Sequence, residues 1–149
     1  IESRTETAPA LDAGHDVQVM TNGSLPLDTL DPRASRVVDI KSPWSGDAAA
    51  PSAHPLPNLP PLGFDPANLE HLALGDEVQF VARDRAEFDW FADWSERVGL
   101  HERVGTVLVG PAWGLLAPGT LGDWVLDSGR PFRLNLQLHK LIWGAGTRR

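Results

Sequence analysis

No cysteine occurs anywhere in this chain of 149 residues, and that absence removes more chemistry than any other feature of the sequence. Disulfides, thiolate nucleophiles, thiolate zinc sites and cysteine-held iron–sulfur clusters are excluded from the chain taken alone. No signal peptide is present, and no apolar run is long enough to span a bilayer, so the sequence reads as soluble and cytoplasmic. Basic clusters are missing as well. Thirteen Lys and Arg against 20 Asp and Glu give a net charge of -7, which argues against nucleic acid or an anionic membrane surface as partner. The five histidines, at positions 15, 54, 71, 101 and 139, form no pair at metal-ligand spacing, so no metal site is expected within the chain. Gly-rich phosphate loops, nucleophile elbows and close carboxylate pairs are absent, and no internal repeat is visible. Methionine occurs once, at position 20, and the chain begins at Ile1. Together these read as a piece of a longer protein whose natural start lies upstream.

The stretch from Val37 to Gly46 carries the most information among what is present. Val37, Val38 and Ile40 are β-branched and suit a short buried strand, which stops at Ser42-Pro43 and delivers Asp39 and Lys41 where the backbone leaves the sheet. In α/β proteins such strand ends are where ligands are held. The plain alternative is a structural ion pair between Asp39 and Lys41.

The rest of the chain falls into alternating elements. Ile1 to Ala13 reads as a frayed helix or loose end, and Val17, Val19 and Met20 as a strand that turns at Thr21-Asn22-Gly23. Leu27 to Ala34 is at most a capped turn of helix. Residues 47–66 are rich in proline, with leucines and Phe64 spaced among them. They read as an ordered loop over a site, not as a linker. A helix is expected over Asn68–Leu74, a strand over Glu77–Ala82 and a helix from Asp84 to Val98, with Phe88, Phe91 and Trp94 on its core stripe. A strand over Thr106–Val109, a helix over Thr120–Leu126 and a last strand over Phe132–Leu138 complete the order. Strand alternating with helix predicts a single α/β domain over residues 1–149, with parallel pairing and right-handed crossovers. Thr21, Asn22, Lys41, Ser42, Arg83, Asp84, Gln137, His139 and Lys140 would then gather at one rim of the sheet as a binding mouth for a small charged ligand.

Four segments together resemble a known family: residues 17–27 with Thr-Asn-Gly, the Asp39-Ile40-Lys41-Ser42-Pro43 strand end, residues 76–81, and the tail Leu136-Gln137-Leu138-His139-Lys140-Leu141-Ile142-Trp143. Their order and spacing are similar to the C-terminal portion of 7-carboxy-7-deazaguanine synthase, a radical S-adenosylmethionine (SAM) enzyme of queuosine biosynthesis. The resemblance implies a partial (β/α) barrel, here an N-terminally truncated open parallel sheet. It also implies a lyase reaction that contracts 6-carboxy-5,6,7,8-tetrahydropterin to 7-carboxy-7-deazaguanine with loss of ammonia. SAM, a 4Fe-4S cluster and Mg²⁺ come with it, as do a homodimer and a flavodoxin-type reductant. By position, Asn22, Lys41 and Ser42 would serve SAM, and Gln137 and His139 the pterin, while the ligands of the cluster and of Mg²⁺ are not in this chain. Met20, Gln79 and Gly110 stand where the family usually has other residues. A glycyl-radical activase or another radical SAM enzyme shares some of these elements. A non-catalytic module derived from the fold fits the missing cysteines.

Overall fold

A computed structural model describes residues 4–46 and 58–144. Five strands form one parallel sheet: β1 (Gln18–Thr21), β2 (Ser35–Ile40), β3 (Glu77–Ala82), β4 (Thr106–Pro111) and β5 (Phe132–Leu134), lying side by side in chain order. Every crossover therefore steps the same way, and right-handed connections that all step one way place every intervening element on the same face of the sheet. The helices are α1 (Arg4–Asp12), α2 (Arg85–Arg97), the single turn α3 (Leu100–Arg103), α4 (Pro118–Ser128) and α5 (Leu138–Trp143). The fold is thus an open α/β sheet, as expected from the alternation.

Strand pairing fixes which residues share a face, because partners in a parallel register point the same way. Thr21, Val38, Val78, Val107 and Phe132 lie in linked registers, as do Ile40, Phe80 and Val109, and all are buried beneath the helices. Apolar burial on this scale contributes roughly 25 cal/mol for each Å² removed from water, so this face holds the fold together. The main cover is α2. Asp84 caps it by accepting from the Glu87 amide at 2.9 Å, and Gly99 ends it in a left-handed conformation at φ +60° that suits glycine. Its apolar face brings Phe91 flat onto Phe80, with ring centres 4.4 Å apart and planes 4° from parallel. Phe88, Trp90 and Trp94 extend the aromatic layer. The expected Phe88, Phe91 and Trp94 stripe is core, joined by Trp90.

Two expectations are corrected. Asn68–Leu74 is not an α-helix: a 3-10 helix over Pro66–His71 takes its place, and Asn68 turns inward to accept from the Leu27 amide and donate to the carbonyls of Gly23 and Leu25. The last strand ends at Leu134, and Leu138–Trp143 forms α5. Apolar residues at Leu134, Leu136 and Leu138 mimic strand alternation, but the local Leu138 N–H to Leu136 carbonyl bond and the Lys140 and Leu141 bonds to Gln137 turn the chain instead.

The amino-terminal end of the β2–β3 pair is locked by a buried ion pair. Asp76 accepts from the Arg36 Nε and amide at 2.9 Å each and from its terminal nitrogen at 2.6 Å, and also from the Ala73 amide at 2.8 Å. Asp76→Ala, which strands the Arg36 guanidinium, is expected to lower unfolding free energy by about 3–5 kcal/mol, read as a fall in urea midpoint. His101 gives a second expectation. Its ring rests 5.3 Å from that of Phe132 and its Nε2 has no partner among the described residues, and burial, then the charge of Arg130, push its pKa below the ordinary 6.5. The unfolded chain therefore binds this proton more readily than the folded one. The contribution to stability is complete above pH 6.5 and falls on acidification until the lowered pKa is passed. Urea midpoints at pH 7.5 and pH 5 should differ less in His101→Leu than in the parent.

Candidate functional site at the carboxyl rim and open face

The face of the sheet opposite the helices mixes polar and apolar residues and is partly exposed. A parallel sheet is ordinarily covered on both faces, yet among the described residues no helix packs over this one. Register arranges its side chains in rows. Met20, Val37, Glu77 and Thr106 form the first, and Asp39, Gln79, Leu108 and Arg133 the second. Nearer the carboxyl ends come Val81 and Gly110. Gly110 is small for a reason visible here: a Cβ on it would lie 2.7 Å from the Asn135 carbonyl oxygen, where the chain leaving β5 bonds its amide to the Val109 carbonyl.

At the end of β2 the plain alternative is present. Lys41 Nζ lies 2.6 Å from Asp39 Oδ2. The other carboxylate oxygen, Oδ1, is buried with no hydrogen-bond partner among the described residues. Lys41 is 43% exposed, so its ammonium is accessible at the rim. Ser42 points the other way. It is 2% exposed, and its Oγ donates to Glu87 Oε1 at 2.6 Å. Glu87 also accepts from the Arg83 amide at 2.8 Å and its Nε at 2.9 Å, with a terminal guanidinium nitrogen at 2.7 Å. Arg83 reaches on to the Trp44 carbonyl at 3.1 Å. One buried carboxylate thus joins the ends of β2 and β3 to the start of α2. The rim residues Arg83 and Asp84 serve this joint and the helix cap.

Asn22 is exposed beyond β1, where its Oδ1 accepts from the Ser24 amide at 3.1 Å. Thr21 Oγ1 accepts from the Gly23 amide at 3.1 Å. Gly23 sits at φ +68°, and a Cβ there would meet the Phe64 ring at 2.6 Å, so the turn needs glycine for two reasons. The proline-rich loop reaches the rim from here. Its residues 47–57 lie outside the described ones. Its described end bonds the Leu62 amide to the Lys41 carbonyl at 3.1 Å, then seats Phe64 against Trp94 and accepts from Trp90 Nε1 at the Leu59 carbonyl. This end packs on the helical side, so the described part of the loop fixes the rim without covering the open face.

Gln137 and His139 lie at the same rim beyond β5, exposed at the start of α5, and Lys140 follows one residue later, partly buried. They are separated from Asn22 and Lys41 by the ends of β3 and β4. Between them a hollow of about 460 Å³ is lined by Pro111, Trp113, Leu115, Leu116 and Leu141. The mouth is therefore polar at its β2 side, where Lys41 pairs with Asp39, apolar past β4 and polar again at α5. Glu87 and Arg133 escaped the sequence reading. Asp84-x-x-Glu87 has the spacing of a capping box and signals the first, whereas only the strand register reveals the second.

The chain is similar to curated 7-carboxy-7-deazaguanine synthases. It is 30% identical to that of Koribacter versatilis over 91% of this chain and 60% of the relative. It is 33% identical to that of Chlorobaculum tepidum over 89% and 55%, and 31% identical to that of Leptospira interrogans over 85% and 48%. The chain thus spans roughly half the length of the curated relatives it matches, and the resemblance read from the sequence is borne out. No protein-family profile matches the chain, and no solved structure does.

The burial of Ser42 gives its own expectation. Ser42→Ala removes a hydrogen bond to a buried charged group and should cost about 1.5–3 kcal/mol, measured by chemical denaturation of the chain. A loss below 0.5 kcal/mol, roughly the surface-substitution range, would separate Ser42 from the Glu87 joint.

Proposed function

We propose that this chain forms the SAM-facing and substrate-facing part of a 7-carboxy-7-deazaguanine synthase. The observation that carries the proposal is the placement of Lys41 and Asn22 at the carboxyl rim of a parallel sheet with one face that no described helix covers, in a chain similar to synthases of that name. In this proposal the reaction is the ring contraction of 6-carboxy-5,6,7,8-tetrahydropterin to 7-carboxy-7-deazaguanine with loss of ammonia.

In this proposal the residues of this chain help to hold SAM but not the metal centres. Lys41 offers a compact cationic donor for a carboxylate or ribose oxygen, Asn22 offers a second polar group and the Ser42 main chain a third. The Trp113 hollow provides an apolar wall at the same rim. The chain has no cysteine to hold an iron–sulfur cluster, and among the described residues no group of three His, Asp or Glu could hold a cation. In this proposal the cluster and Mg²⁺ take their ligands from outside these 149 residues. Bound SAM supplies the hydrogen-abstracting chemistry. The chain's own work is orientation, exclusion of water and recognition of the flat substrate. Gln137 offers both a donor and an acceptor for a pterin edge, and His139 offers its ring nitrogens. A flavodoxin-type electron donor, a cytoplasmic setting and a homodimer belong to the same proposal. Apolar side chains exposed at Leu134, Leu138, Leu141, Ile142 and Trp143 support the last of these. The missing cysteines favour a second reading, a non-catalytic binding module, which retains SAM affinity without turnover.

The test uses the complete protein, reconstituted anaerobically with its cluster. Formation of 7-carboxy-7-deazaguanine from the pterin is the expected result, and a fully loaded protein that forms none refutes the assignment. In calorimetric titration Lys41→Ala should weaken SAM about tenfold, as loss of a charged hydrogen bond does, and unchanged affinity removes Lys41 from the site. His139→Ala should lower pterin turnover while SAM affinity holds. Equal loss of both would place His139 in the fold instead.

A further inference from the structure

Asn22 is the one asparagine in these 149 residues that is followed by glycine, whereas Asn58, Asn68 and Asn135 each precede leucine. Asparagine loses its amide when the next backbone nitrogen attacks the side-chain carbonyl carbon. A glycine nitrogen is the least hindered one for that attack, because no Cβ stands beside it. Asn22 is exposed beyond β1, so the amide at risk is one that the rim displays.

Features of the turn pull in both directions. Asn22 Oδ1 accepts from the Ser24 amide at 3.1 Å, which folds the side chain back over the Gly23 peptide and draws electron density from its carbonyl carbon. Three contacts oppose the reaction. Gly23 is buried, and its nitrogen donates to Thr21 Oγ1 at 3.1 Å, so the N–H must leave a partner before the nitrogen can react. The Gly23 carbonyl is held twice, by the Asp65 amide at 2.9 Å and by Asn68 Nδ2 at 2.8 Å. The Phe64 ring packs so closely that a Cβ on Gly23 would lie 2.6 Å from it. The peptide plane therefore cannot swing toward the Asn22 side chain without breaking ties to the end of the proline-rich loop and to the 3-10 helix. Thr21 is 9% exposed, on the helical face of β1 beside Val38, and among the described residues its hydroxyl meets the Gly23 amide.

We propose that Asn22 is a deamidation site closed by the fold, and that Thr21 is the residue that closes it. Once freed, the Gly23 nitrogen bonds to Asn22 Cγ and passes its proton, through water, to the departing Nδ2, which leaves as ammonia. Water then opens the cyclic imide at either carbonyl and gives aspartate or isoaspartate. Either product places a carboxylate on the rim that carries Lys41, and isoaspartate adds a backbone atom to the turn that holds Asp65 and Asn68. The inference stands apart from the synthase proposal. In the experiment the complete protein is incubated in mildly alkaline buffer, folded and in urea, and aspartate and isoaspartate at position 22 are followed by peptide mass spectrometry. Conversion should concentrate at Asn22 among these asparagines in urea and be slow in the folded parent. Thr21→Val keeps the β-branched shape and removes the acceptor. It should speed conversion in the folded protein about fivefold, the rate equivalent of one lost hydrogen bond of about 1 kcal/mol. Thr21→Ser keeps the oxygen and should stay at the parent rate. Val107→Ala, which weakens the core on β4 away from the turn, should stay there too. A folded parent that converts no more slowly than in urea overturns the inference, as does Thr21→Val converting no faster than Thr21→Ser. Val107→Ala converting as fast as Thr21→Val overturns it as well, since lost stability alone would then open the turn.

Discussion

Glu87 is the constraint on which the rim depends. It is 3% exposed, and such a carboxylate is tolerable only because Ser42 and Arg83 surround it with donors. Those donors come from the ends of two strands, so satisfying one buried charge dictates where β2 and β3 release the chain and where α2 begins. Lys41 precedes Ser42 by one residue, and alternation along the strand sends its side chain to the opposite face. Burial of Ser42 on the helical side is thus what presents Lys41 on the open side. The Arg36–Asp76 pair performs the same service at the amino-terminal end. Buried ion pairs of this kind add little net stability compared with apolar residues of equal volume. Their effect is to fix register, which matters because a slip of one residue would exchange the faces of the strand.

Consequences follow from the single winding direction of the sheet. Because the described connecting elements lie on one face, aromatic side chains gather there, with Phe80, Trp90, Phe91 and Trp94 in mutual contact and Phe88 beside Trp124 and Phe132. The other face has no helix packed on it among the described residues, and its composition is mixed: Asp39, Gln79, Glu77, Thr106 and Arg133 stand beside Met20, Val37, Leu108 and Val81. Doubly wound sheets bind ligands at a crevice where the winding reverses. No reversal occurs among the described strands, so the proposed function places its ligand at the open face together with the carboxyl ends of the strands, as in barrel folds.

Much of this was legible in the sequence, and the exceptions have physical causes. β-branched runs ending in Gly, Pro or Ser gave the strands to within a few residues, and the Asp84 cap with Gly99 bounded α2 because capping is local chemistry. Phe132–Leu138 misled because period-2 apolarity over a few residues cannot distinguish a strand that continues from one that turns into a helix. Asn68 was invisible for a different reason: its hydrogen bonds reach 41 to 45 residues back along the chain. Asn22 and Lys41 lie at the rim where strand-end logic puts them. Ser42 has its side chain turned into the protein, since the sequence shows a polar residue at a strand end but not the carboxylate 45 residues away that accepts its hydrogen bond. Arg133 carries no local motif at all. Its place in a row with Leu108, Gln79 and Asp39 depends on four strands being in register, and only pairing supplies that.

The Asp39–Lys41 pair shows why the plain and the sharp interpretations of a strand end need not compete. Its nitrogen and oxygen are 2.6 Å apart, but the lysine side chain is 43% exposed and the aspartate 21%. Ion pairs with such access to water contribute about 0–1 kcal/mol, far less than the cost of separating the buried Arg36–Asp76 pair. A charged hydrogen bond to a ligand is worth about 1.5–3 kcal/mol, so Lys41 can leave Asp39 for an incoming carboxylate or hydroxyl at a net gain. Asp39 would then lose its one partner among the described residues, while its buried Oδ1 already lacks one. On the proposed function, the weak pair would hold Lys41 in position until an oxygen of the ligand takes the place of Asp39.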